Sequence, residues 1–432
     1  MAQRTSTQLR RQFYKLYQAG KTYAEIAAQF ELSVKCVSNW CRRQQAGGSA
    51  ESTYSRPPPG LLSRFHPLVR YGVLRLRLEH PRWGPVWIAV HLRKRPSLQG
   101  LALPCPAQIG RYLHQWPRFR RAVKPLKGRK LPEPVTAVHQ CWQFDFKTGI
   151  GLRNGTQLNL HTVRDPFGAA CLGAVVYATG QVGQAPKGNR LCEARATLRR
   201  CFARWGTLPA RIQTDGETTL SAQRRWNDFP TRFTLWLVGL GVQHNIIRLG
   251  QPTDNAEVER CHRTVYEYAI VGHEDCQVDK LQGHLDQALE ELLFELPSQA
   301  AGCHGLPPAL AHPELLQPTR PFQPEQEWAQ FDLQRVYAYL AQLTWQRKSS
   351  KTGQIFLGDQ RYYVGRAYAR RTITIRFDPE HHNLILLDQQ MPEAEQEIRR
   401  VPIKGITAEN LMGIQDPDFK PVPQQLSLPL VF

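Results

Sequence analysis

At 432 residues the chain is too long for one ordinary core and suits three or four domains. Its 41% hydrophobic content supplies packed cores and excludes wholesale disorder, while no run approaches the ~20 apolar residues needed to cross a membrane. The net charge of +20 is unevenly spread: residues 1–130 hold 25 Lys/Arg against 4 Asp/Glu, and the remainder 31 against 32, so a polyanion-binding front end precedes a near-neutral body.

Apolar spacing at Leu9, Phe13 and Leu16 predicts a helix over 8–18, stopped by Gly20. Thr22 and Glu25 form a capping box for a helix over 23–30, and Ser33 caps another over 34–43. Two helices joined by a short turn, the second bearing Lys35, Ser38, Asn39, Arg42 and Arg43, have helix-turn-helix geometry, so 1–46 is read as a DNA-binding domain with those five residues as contacts. A plain three-helix bundle with a wet polar face is the bland alternative.

A Gly/Ser/Pro-rich linker follows at 47–60. Residues 61–116 read as a second basic helical or winged module, with helices over 68–78, 87–93 and 107–116 and a break at HPRWG, 80–84. Its last helix offers Gln108, Arg111 and His114 at helical spacing. The stretch 117–137 reads as a phosphate-contacting tether.

From 138 the pattern changes to strands. Trp142, Phe144 and Phe146 alternate with Gln143, Asp145 and Lys147, the period of a half-buried strand. Strands over 155–163 and 170–177, a helix over 193–205, a strand over 210–214, a strand over 242–248 and a helix over 256–270 complete 138–315 as an RNase H-like α/β layer. Beyond 325, a helix over 331–345 and four short strands predict a small β-barrel to 412, then a flexible tail over 413–432. The ten cysteines are scattered, no C-x-x-C pair exists, and no signal-like stretch opens the chain, so free thiols in a reducing compartment are expected and structural zinc is not.

Three acids stand out. Asp145 lies on the polar side of its strand, Asp215 ends a strand, and Glu259 sits on a helix striped by Val258, Cys261, Val265 and Ala269. Carboxylates from separate elements converging at one sheet edge are the hard oxygen donors that Mg²⁺ takes. Two such ions can steady both the attacking and the leaving oxygen of an in-line phosphoryl displacement. Among other acids, Asp254 and Glu257 suit a helix cap, Glu217 belongs to the loop after Asp215, and Asp165 opens a turn. His262 and Arg263, one turn past Glu259, suit either phosphate contact or simple exposure.

The blocks WQFDFKTG (142–149), RIQTDGE (211–217) and QPTDNAEVERCHRT (251–264) resemble the three catalytic blocks of DDE transposases of the retroviral-integrase-core type, closest to those of bacterial insertion sequences. The resemblance covers about 138–315, and HPRWG resembles the segment that opens such proteins' second DNA-binding module. It implies Asp145, Asp215 and Glu259 as catalytic metal ligands for two Mg²⁺ (or Mn²⁺) ions. The implied activity is cleavage at element ends, then joining of the 3′-hydroxyl to target DNA. Double-stranded DNA, both terminal repeats and target, would be the partner. A homo-oligomer on DNA is implied, with room for an accessory ATPase, in the bacterial cytoplasm at the nucleoid. Arg361, Arg366, Arg370 and Arg371 of the expected barrel would hold DNA or a neighbouring subunit. Two departures from the pattern are the Gly216-Glu217-Thr218-Thr219 run after the second Asp and a longer Asp215–Glu259 interval, assigned to an insertion over 221–233. The alternatives are a non-catalytic DNA-binding regulator and a nuclease without strand transfer.

Overall fold

The computed structural model describes residues 5–51, 60–116, 134–181, 190–215, 220, 229–247, 256–391 and 396–413. Most of the 47–60 linker and the 117–137 tether, residues 216–219 and 251–255 of the motif blocks, most of the 221–233 insertion and nearly all of the tail lie outside them. The chain divides into two compact units, 1–78 with 88–121, and 79–87 with 122–432.

In the first unit α1 (Thr7–Gln18), α2 (Tyr23–Gln29) and α3 (Val34–Gln45) fall within two residues of their expected bounds. Both halves of the Thr22/Glu25 box form: the Thr22 amide donates to the Glu25 carboxylate at 2.8 Å and the Glu25 amide to Thr22 Oγ1 at 3.3 Å. Ser6 and Ser33 cap the other two helices. Phe13, Ile26, Ala27, Val37 and Cys41 close the small core. The chain then forms α4 (Pro67–Glu79), α5 (Pro85–Lys94) and α6 (Pro106–His114), whose Val69, Val73, Ile88, Leu92 and Ile109 are fully buried.

The second unit is built on a five-stranded mixed sheet. β1 (Cys141–Gly151), β2 (Thr156–Asp165) and β3 (Ala170–Gln181) form an antiparallel meander. β4 (Arg211–Thr214) and β5 (Gln243–Ile246) extend it parallel to β1, in the order β3-β2-β1-β4-β5. With α7 (Leu191–Trp205), α8 (Arg232–Gly239) and α9 (Ala256–Val265), the element order is strand-strand-strand-helix-strand-helix-strand-helix. Helices cover both faces. Trp142, Phe144 and Val163 pack with the side chains of α7 and α8. Leu158, Leu160, Ala174 and Val176 pack with α9 and α10 (Val278–Phe294). β1 is therefore buried on both sides through Phe144, not half-buried as its alternation suggested, because α9 lies over the polar face. The expected 256–270 helix is α-helical only to Val265; Tyr266–Ile270 is a π-helical turn.

After the short α11 (Pro308–Ala311) and α12 (Glu327–Gln330) come α13 (Leu333–Ala341) and six strands: β6 (Thr344–Lys348), β7 (Gln354–Leu357), β8 (Gln360–Tyr363), β9 (Thr372–Asp378), β10 (Asn383–Leu387) and β11 (Glu397–Pro402). The short α14 (Ala408–Met412) follows. The helix expected over 331–345 stops at Ala341, because the Thr344–Lys348 alternation buries Trp345 and pairs with β9. The expected barrel is not what the described strands form. They make an open sheet, β11-β10-β9-β6, beside the separate β7–β8 hairpin. The sheet covers its apolar face against α13, where Tyr337 lies 5.5 Å from Phe377, so it has no need to curl on itself. Its buried residues belong to the same cluster as Trp142 and Phe144 of the central sheet.

Candidate active site

The parallel β1–β4 ladder pairs Cys141 with Arg211, Trp142 with Ile212 and Gln143 with Gln213. Carried two residues on, this register sets Asp215 level with Asp145 on the neighbouring strand. Side chains alternate along strands, so both carboxylates project from the same face, the one that α9 covers. Cross-strand pairing on the other side sets Thr162 of β2 opposite Asp145. Asp145 Oδ1 accepts the Phe146 amide at 2.8 Å.

Helix phase locates the third acid. Val258, Cys261, His262 and Val265 are the buried residues of α9 and define the face laid on the sheet. At about 100° per residue, Glu259 falls on the flank beside His262 and Glu257 on the opposite flank. The contacts agree. His262 Nε2 lies 3.3 Å from Asp145 Oδ2 and its Nδ1 lies 2.8 Å from Thr162 Oγ1. Glu257 instead meets Arg164 of β2 at 3.2 Å and Arg260 at 3.6 Å. Glu257, expected in a helix cap, is thus an ion-pairing residue on the β2 side, and Glu259 is exposed on the side nearer β1 and β4.

His262 does not sit where a phosphate contact would place it. Its side chain is 7% exposed and both ring nitrogens face protein oxygens. The Asp145–Thr162–His262 arrangement escaped the sequence because its members are 17 and 100 residues apart. Only the antiparallel register and the helix phase bring them together. Arg263, by contrast, is exposed on the Glu259 flank.

A second histidine braces the other strand. His244 of β5 places Nε2 2.9 Å from Thr214 Oγ1 and Nδ1 2.9 Å from Thr234 Oγ1. Burial pushes its pKa down to about 4, so the ring is neutral and locked between two hydroxyls. Thr214 Oγ1 is 3.1 Å from the Asp215 carbonyl, so this brace ends at the second acid.

The donor set suits a hard divalent cation in kind, with carboxylates on one side of the sheet and the nearest imidazole turned onto Asp145 itself. Among the described residues no three His, Cys, Asp or Glu side chains are gathered closely enough to hold a metal ion. The pair on β1 and β4 is thus aligned by the ladder, while Glu259 stands at the helix edge without closing the set.

In the first unit, Lys35, Asn39 and Arg42 are exposed along one side of α3. Ser38 Oγ donates to the Lys35 carbonyl at 3.2 Å, and the Arg43 guanidinium lies 5.3 Å from the Trp40 ring centre, so both are partly engaged within the helix. Gln108 is drawn into the start of α6, its Oε1 accepting the Cys105 amide at 3.0 Å, whereas Arg111 and His114 are exposed. In the C-terminal sheet Arg371 pairs with the buried Asp388 at 2.7 Å while its own side chain stays 40% exposed.

A helix-turn-helix domain family matches residues 9–60. No curated protein matches the chain. Among solved structures, the HTLV-2 integrase catalytic core domain in complex with magnesium (trimeric form) aligns at 18% identity and TM-score 0.30, covering 41% of this chain and 97% of that one. The simian T-cell lymphotropic virus intasome in complex with PP2A regulatory subunit B56 gamma aligns at 18% and 0.33, covering 58% and 78%. The catalytic core domain of BIV integrase aligns at 16% and 0.27, covering 41% and 95%. Likenesses at this level assign the chain neither an activity nor a site residue.

Proposed function

We propose that this protein is a metal-dependent DNA strand-cleaving and strand-joining enzyme of the transposase/integrase type, with Asp145, Asp215 and Glu259 as its catalytic acids. The observation that supports the reading is the β1–β4 register, which carried two residues on would set Asp215 level with Asp145, together with the phase of α9, which turns Glu259 to the near flank.

Asp145 and Asp215 would hold a divalent cation between neighbouring strands, and Glu259 would complete the set from the helix. Magnesium or manganese, when bound, supplies positive charge to the attacking and leaving oxygens of a phosphodiester. The chain's own part is positioning. His262, bonded to Thr162 through Nδ1, would keep its Nε2 beside the Asp145 carboxylate, and His244 holds the end of β4 through Thr214. Arg263, exposed on the Glu259 flank of α9, would meet a DNA phosphate. The helix-turn-helix domain would bind the ends of the DNA element through the exposed Lys35, Asn39 and Arg42, and the second helical module would add Arg111. Two ends must meet for joining, so the working form would be an oligomer on double-stranded DNA; no comparison supports an accessory ATPase.

The test is a short duplex carrying the DNA that flanks the protein's own coding locus, incubated with the full chain, Mg²⁺ and a target plasmid. Joined products support the reading, cleavage without joining supports a nuclease, and binding alone supports a regulator. Full joining by Asp145→Asn protein would sink the metal-site assignment.

A further inference from the structure

The motif at 80–84 that breaks the second helical module has no part in the site above, yet residues 79–87 belong to the second unit. There they form a strap against the π-helical turn Tyr266–Ile270, which directly continues α9. The Trp83 ring lies 5.4 Å from the Tyr268 ring. Trp87 meets Tyr268 edge-on at 5.6 Å and donates from Nε1 to the Pro297 carbonyl at 3.2 Å. His80 stacks on Trp83 at 3.8 Å and 6°, stiffening the strap. Arg82 forms an ion pair with Glu267, and the Tyr268 hydroxyl bonds the Glu291 carboxylate on α10. Two consecutive residues of the π turn are therefore gripped from the strap, and one of them from α10 as well.

We infer that this strap is a positioning device for the catalytic helix, with Trp83, Trp87 and Arg82 as positioning residues. A π turn accommodates one residue more than the α-helical turn it replaces, and such turns occur as single-turn bulges within α-helices. If Tyr266–Ile270 relaxed to α-helix, the preceding helix would rotate by about 100° relative to α10. That rotation would take Glu259 off the flank beside β1 and His262 off Asp145. Holding Glu267 and Tyr268 in the π geometry thus sets the phase that keeps His262 beside Asp145 and Glu259 on the flank nearer β1. The inference rests on the proposed catalytic reading for its consequence, but not for the clamp itself.

The experiment uses the full chain with Arg82→Glu, Glu267→Arg, the double exchange and Trp83→Ala, reading hydrogen exchange over 256–270, DNA affinity and cleavage rate at saturating DNA. Trp83→Ala is expected to speed exchange there by roughly tenfold, the loss of one or two aromatic pairs. Arg82→Glu, on an exposed arginine and so safe for folding, should raise it by roughly threefold, and the double exchange should restore it. Cleavage rate should fall in step while DNA affinity stays level. Unchanged exchange over 256–270 in both folded variants overturns the clamp, and raised exchange with unchanged cleavage overturns the positioning role. If the wild-type chain cleaves no DNA, the catalytic reading fails on its own, and the exchange measurement still decides whether the strap holds α9.

Discussion

His262 contacts Asp145 with one ring nitrogen and Thr162 with the other, so a residue that looks like a surface base in sequence is a strut in the fold. Replacing it removes no donor from the acid set but frees the Asp145 carboxylate. If the proposed activity holds, His262→Ala is expected to lower strand cleavage by about 10–100-fold, the usual cost of losing a neighbour that orients a metal ligand, with DNA affinity unchanged. His262→Gln, which keeps a polar group beside Thr162 and Asp145, should recover part of that rate. Asp145→Asn keeps the shape and removes the charge, and should bring cleavage to background in the same assay while gel-shift affinity for the duplex holds.

Among the elements, β5 and the helix-turn-helix give opposite kinds of test. Burial holds the His244 pKa near 4 in the folded chain, against 6.5 for the ordinary group. Folding therefore favours the neutral ring, whose contribution is complete above pH 6.5 and is lost as pH falls from there towards 4. Stability should drop by at most about 1.4 kcal/mol per pH unit across that window from this residue. Denaturant melts between pH 7 and 4 read this directly, and His244→Asn should flatten the dependence. In α2, Thr22→Ala deletes one half of a complete capping box and should cost about 1 kcal/mol of local stability. Faster hydrogen exchange at Tyr23–Gln29, with α9 and the central sheet unchanged, is the expected outcome.

For the molecule as a whole, one buried polar hub ties distant segments of the second unit together. Arg199 of α7 pairs with Glu327 of α12 at 2.8 Å and donates to the Met412 carbonyl of α14 at 2.8 Å, while Trp236 of α8 donates to the same Glu327 at 3.0 Å. The Arg199 and Glu327 side chains are 8% and 10% exposed, so removing one leaves the other charge buried without its partner. Glu327→Ala should destabilise the unit by about 3–5 kcal/mol and lower its melting temperature as a single transition, because the C-terminal sheet and the central sheet share one core. A separate low-temperature transition for the tail would argue against that coupling.

Local chemistry in the sequence was enough to determine the first three helices and their caps, since a capping box and an apolar spacing act within a few residues. It also carried the strand-helix order of the central sheet, because strand alternation and helix phase are read along the chain, and it singled out Asp145, Asp215 and Glu259 as the candidate acids. Tertiary structure alone decided the rest. The covering of β1 by α9 turned a polar strand face into a buried one, and the register with β2 joined Thr162, His262 and Asp145. Burial of Trp345 ended a helix that local spacing would have continued, and packing on α13 left the tail an open sheet where short strands had suggested a barrel. In each case the deciding contact lies many residues away, and a pattern read along one segment carries no information about which distant surface will cover it.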